Sequence, residues 1–146
     1  LSSFSDGLAN TLAFSEKPIG SGEGGQYDPF RDWAVVVNVR SERADDWIAA
    51  CSHLQDPDPS FDAGATWMLP GAIYTHFLAS TPPNTPIPDC GQKTFAGLGL
   101  FSARSFHPGG INAAMADGAV KWFASTTTMA VWRSLGTRAG GEVVSD

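Results

Sequence analysis

The chain has 146 residues, 42% apolar and 11% aromatic, enough to bury one core and too apolar for a disordered segment. A formal net charge of −6 disfavours nucleic acid or an anionic membrane as a partner, because neither is attracted to it. With 16 glycines and 10 prolines the chain is turn-rich, which argues for a loop-rich α+β or β domain and against a helical bundle.

Taken in order, Ser5-Asp6-Gly7 opens a turn over residues 6–10, in which Asp6 and Asn10 stabilise backbone amides, and a strand follows over residues 11–15. Residues 17–28 read as loop. The run Ala34-Val35-Val36-Val37 has the β-branched composition of a sheet interior, so residues 33–39 are expected as a central strand. Ser41 is placed to cap a helix over residues 42–54, with Glu42, Asp45 and Asp46 near its positive end and Ala44, Trp47, Ile48, Cys51 and Leu54 on one face. Further strands are expected over residues 64–69 and 72–78. The four prolines of residues 81–89 exclude that stretch from a sheet interior and make it an extended connector.

The stretch from His107 to Phe123 predicts a hairpin. Asp117-Gly118 is the dipeptide that best tolerates the positive φ values of a two-residue type I′ turn. Counting outward from that turn, Ala116 faces Ala119, Met115 faces Val120, Ala114 faces Lys121, Ala113 faces Trp122 and Asn112 faces Phe123. One side of the hairpin is then wholly apolar: Ile111, Ala113, Met115, Val120 and Trp122. Ser125 to Thr128 cap a helix over residues 129–135, whose Met129, Trp132 and Leu135 cover that side, and Gly136 terminates it. Residues 140–144 are a candidate last strand. No internal repeat or dividing linker is visible, so residues 1–146 are expected to form a single domain.

These residues also carry a resemblance. His107, nine residues and then Asp117-Gly118 form an H-x9-DG pattern similar to the signature of the DUF1559 family of pilin-like surface proteins. The segment Ser5 to Thr11, ending at Glu16, resembles the family's Asp-Gly-x-Ser-Asn-Thr stretch, with Ala9 where Ser is usual. Pro82-Pro83-Asn84 ahead of Cys90, and the tail from Trp132 to Glu142, match two further family segments in the expected order. The resemblance implies an α+β pilin-like or pseudopilin-like globular domain, with an antiparallel sheet and one or two packed helices. Its parent would be extracytoplasmic, periplasmic or at the cell surface, and exported through a type IV pilus or type II secretion pathway. Partners would be proteins of a pilus or secretion assembly.

Family members usually carry a prepilin cleavage segment and a long apolar helix ahead of these motifs. This sequence shows no run approaching the roughly 20 apolar residues that span a bilayer. The chain is therefore expected to be the C-terminal part of a longer protein, and membrane anchoring concerns that parent. Cys51 and Cys90 are either one disulfide or two buried free thiols; the implied extracytoplasmic setting is one in which a bond persists.

Familiar enzyme signatures are absent: there is no Gly-x-Ser-x-Gly, phosphate loop, Cys-x-x-Cys or His-Glu-x-x-His. What remains is a polar set of His76, Arg104, His107, Asn112 and Asp117 with Asp6 and Glu16. His107 is a candidate metal ligand or general base, or a structural donor to a carbonyl or carboxylate. It lies roughly 20 Å from Asp117 along the hairpin, so the two do not share a site. Arg104 is expected to pair with Glu142 or Glu16. His76 and His107 with a carboxylate are the best candidates for Zn²⁺-assisted hydrolysis of ester or phosphoester bonds. Asp56, Asp58 and Asp62 offer hard oxygens for Ca²⁺, without EF-hand spacing. The cofactor is thus none, or a divalent Ca or Zn. Two functions stay open, a non-catalytic assembly or surface-interaction domain and a small metal-dependent hydrolase. A third, a carbohydrate-binding module using Trp33, Trp47, Trp67, Trp122 and Trp132, ranks lowest because several of these are assigned to core faces.

Overall fold

A computed structural model describes residues 3–22, 24–55, 57–66, 68–94 and 97–142. A 3-10 turn over Leu8–Asn10 leads into β1 (Leu12–Ser15), β2 (Trp33–Val35), α1 (Ala44–Ser52) and β3 (Asp58–Ser60). Then come β4 (Asp89–Gly91), β5 (Gly99–Leu100), β6 (Gly110–Met115), β7 (Val120–Ala124) and α2 (Met129–Leu135). The fold is α+β, as expected, but the strands divide between two sheets. One is antiparallel with order β1-β6-β7; the other has order β3-β2-β4-β5 and is mixed, because β2 and β4 run parallel.

The second sheet carries α1. Strand β2 is interior, as its composition predicts, yet pairing stops at Val35 where a seven-residue strand was expected, and Val37 is exposed. Its neighbour β3 is only Asp58-Pro59-Ser60, and the proline, which cannot donate to a ladder, is tolerated because β3 lies at the edge. Helix α1 is shorter than predicted and begins after Arg43. Ser41 is not its cap, since Arg43 takes that position without a side-chain cap bond; the Ser41 hydroxyl accepts from Arg43 N–H at 3.1 Å, and its carbonyl accepts from the Trp47 indole at 2.8 Å. One turn apart, Trp47 and Cys51 bury against Ala34, Cys90 and Leu100. Cys51 and Cys90 are disulfide-bonded, with Cα atoms 5.6 Å apart and neither residue exposed.

The strand expected over residues 72–78 is a turn, in which the N–H groups of Tyr74, Thr75 and His76 all point to the Gly71 carbonyl. Among the described residues of 64–69 there is no strand either; the chain turns at Gly64, with φ of 62°. Residues 140–142 form no strand, and the rest of that expected element lies outside the described residues.

The hairpin forms, but one residue out of the predicted register. Its loop is Ala116-Asp117-Gly118, closed by Met115 N–H on the Ala119 carbonyl at 2.8 Å and Gly118 N–H on the Met115 carbonyl at 2.9 Å. Within this loop only Gly118 has positive φ, at 89°, the pattern of a type I turn followed by a glycine bulge. Ile111 therefore faces Phe123, Asn112 faces Trp122, Ala113 faces Lys121 and Ala114 faces Val120. A one-residue slip moves every β7 side chain to the other face. Ile111, Ala113 and Met115 are buried as expected, whereas Trp122 is 51% and Val120 69% exposed. Phe123 turns inward in place of Trp122 and meets the Trp132 ring edge-on at 5.3 Å. Helix α2 matches its predicted bounds, with the Thr128 hydroxyl accepting from Val131 N–H. Trp132 and Leu135 close the core under the hairpin, and Met129 lies at its exposed margin.

Candidate functional site

Three of the polar residues singled out in the sequence, Glu16, His107 and Asn112, meet at the open end of the hairpin, where β1 ends and β6 begins. Glu16 follows β1 directly. Its carboxylate accepts from Asn112 N–H at 2.9 Å and from the Asn112 side chain at 3.2 Å, and it lies 3.2 Å from His107 Nε2. Partial burial alone would raise the Glu16 carboxyl; hydrogen bonds from Asn112 and the Ser105 hydroxyl, with the His107 charge, outweigh it and hold the group below its ordinary value. His107 is half exposed and stands edge-on to Trp122, with ring centroids 6.1 Å apart. A cleft of about 360 Å³ opens beside it between residues 16–18 and 104–107.

Ser105, His107 and Glu16 contain the residue types of a hydrolytic triad but not its order. The serine hydroxyl is directed at the carboxylate and accepts from the His107 backbone N–H, so the imidazole is not placed between them.

Arg104 does not pair with Glu142 or Glu16 through its side chain. Its guanidinium meets the buried Asp89 at 3.1 Å, donates to the Thr85 and Ile87 carbonyls, and lies over the Phe30 ring. Asp89 also accepts from Ser102 N–H and faces the Lys17 ammonium at 3.8 Å. Burial lowers the Lys17 pKa against the pull of Asp89. The sequence reading missed Asp89 and Lys17. The only signal was a lone Asp before Cys90 and a lone Lys after Glu16, and nothing local joins residues so far apart. Glu142 instead accepts from the Thr137 hydroxyl.

The remaining motif residues act as clamps. Asp6 accepts from the N–H groups of Gly141 and Gly140 and from the Thr137 hydroxyl, bonds that lower its pKa and join the chain start to the tail. Asn84 adopts a positive φ of 54°; its side chain donates to the Gly110 carbonyl and to Ser125 and accepts from Ser105 N–H. Asp117 accepts from Ala119 N–H inside its own turn, and Gly118 supplies the left-handed residue.

The proposed metal ligands are dispersed. His76 is exposed in the Gly71 turn, Asp58 is exposed at the edge strand β3, and Asp62 accepts from the Trp33 indole and the Ser60 hydroxyl, both at 2.9 Å. Asp56 lies outside the described residues. Among the described residues no group of three or more His, Cys, Asp or Glu side chains is placed to hold a metal ion. Of the five tryptophans, Trp33, Trp47 and Trp132 are core, Trp122 is exposed, and Trp67 lies outside the described residues.

The class so defined is a two-sheet, disulfide-linked α+β fold with a hairpin near its C-terminal end whose signature residues bind distant segments together. The family model described as "Protein of unknown function (DUF1559)" matches residues 1–130, and the chain belongs to that family. No curated protein and no solved structure matches it.

Proposed function

We propose that this chain is the non-catalytic globular domain of an extracytoplasmic, pilin-like protein, with a role in assembly or surface contact. One observation carries the reading: the polar side chains of the family motifs are engaged inside the molecule. Asp6, Glu16, Asn84, His107, Asn112 and Asp117 each hold a backbone or side-chain partner, all but Asp117 across more than 20 residues of sequence. A signature used in this way maintains a scaffold, and the buried disulfide suits an oxidising compartment. The hydrolase alternative needs His76 and His107 to act with a carboxylate, and among the described residues only the His107–Glu16 pair forms.

Two measurements test the proposal. The epitope-tagged protein is expected outside the cytoplasm and degraded when protease is added to intact cells; a protected cytoplasmic pool would overturn the localisation. Ester and phosphoester assays with added Zn²⁺ or Ca²⁺ are expected to show no turnover that His107→Ala or His76→Ala removes; turnover lost in either variant would restore the hydrolase.

A further inference from the structure

The register of the hairpin leaves an aromatic platform on the outer face of the three-stranded sheet. Trp122 sits beside Asn112 on the neighbouring strand and is 51% exposed. One side of its indole is supported by the backbone of Gly110, where a Cβ would stand 2.7 Å from Trp122 Cζ2. His107 fixes the ring edge-on, and Glu16 in turn fixes His107. About half of the Trp122 surface stays open to solvent. Around it, three polar atoms make no hydrogen bond among the described residues: Trp122 Nε1–H, His107 Nδ1 and Asn112 Oδ1.

We propose that this face is a carbohydrate-binding platform, on which an uncharged pyranose of a polysaccharide stacks against Trp122 and hydrogen-bonds to Asn112 and His107. Sugar rings present C–H groups on one face and hydroxyls around the rim, which matches an open indole ringed by unengaged donors and acceptors. An apolar protein surface pressed here would bury those polar atoms without partners, at about 1–3 kcal/mol each. Charge favours the same occupant. In a chain of net −6 polyanions are repelled, which favours an uncharged polymer as the occupant. The cleft of about 360 Å³ beside His107 gives room for a neighbouring sugar unit.

The inference rests on the surface-contact reading above for where such a polymer would be met, but binding itself is tested on the purified chain. Native gels containing hydroxyethylcellulose, xylan, galactomannan or dextran are expected to retard the wild type in at least one polymer. In that polymer Trp122→Ala is expected to bind about tenfold more weakly or worse, and Trp122→Phe to keep part of the retardation, with circular dichroism confirming that both are folded. No retardation of the folded wild type in any polymer overturns the proposal, as does equal retardation of Trp122→Ala. Self-association by sedimentation velocity that Trp122→Ala abolishes, without retardation in any gel, also overturns it and assigns the face to protein contact. A chain that binds none of these polymers yet fractionates outside the cytoplasm would remove this inference alone.

Discussion

Glu16 and His107, 3.2 Å apart, have the composition of an acid–base pair, but the four donors around the carboxylate show what the pairing does. A carboxylate that accepts from the Asn112 backbone and side chain, from Ser105 and from His107 ties the end of β1 to the start of β6. Because the folded state holds Glu16 below its ordinary value, its stabilisation is present at neutral pH and is lost as pH falls through the folded-state value. Glu16→Gln is therefore expected to lower stability by about 2 kcal/mol at pH 7 and to flatten the acid limb of a urea-midpoint-versus-pH curve. The buried Arg104–Asp89 pair makes a harsher test. Asp89→Asn keeps the shape of the side chain but leaves Arg104 and Lys17 as uncompensated buried cations. The expected loss is about 3–5 kcal/mol in urea unfolding. That Arg104 forms a buried or half-buried ion pair was expected from the sequence. Its partner was not, because Asp89 reaches it only through the pairing of β4 with β5.

At the scale of elements, α2 was read from its caps with its bounds intact, since capping is local chemistry written in four consecutive residues. The hairpin was read with its turn residues right and its register wrong. Asp-Gly suits a two-residue turn with two positive φ values and equally a three-residue turn with one, and the dipeptide does not choose between them. The core chooses. Only the second arrangement turns Phe123 to Trp132 while Ile111, Ala113 and Met115 stay buried. The register is testable by substitution. Trp122→Ser is expected to change the unfolding free energy in urea by no more than about 0.5 kcal/mol beyond its loss of contact with Gly110, whereas Phe123→Ala is expected to cost about 3 kcal/mol. The reverse order would restore the two-residue turn.

For the molecule as a whole, the disulfide joins α1 to β4 across a separation of 39 residues. Loop-closure entropy for that length corresponds to about 4 kcal/mol, or roughly 10 °C in Tm for a chain of this size. Both sulfurs are buried, so dithiothreitol is expected to leave the folded chain oxidised and to reduce it only near the unfolding midpoint, as read by thiol alkylation and mass. Fast reduction of the folded chain would contradict the burial.

Composition, the caps of α2, the turn residues and the order of the motifs were enough to establish an α+β chain of this family with a C-terminal hairpin covered by a helix. They are local or additive properties, and each is readable without knowing what the segment touches. The division into two sheets, the face on which Trp122 lies, the partner of Arg104 and the dispersal of the three-ligand site that the sequence had suggested were decided by tertiary structure alone. Strand register and charge pairing depend on contacts between residues tens of positions apart, and a competing arrangement with the same local chemistry differs only in how well the core closes.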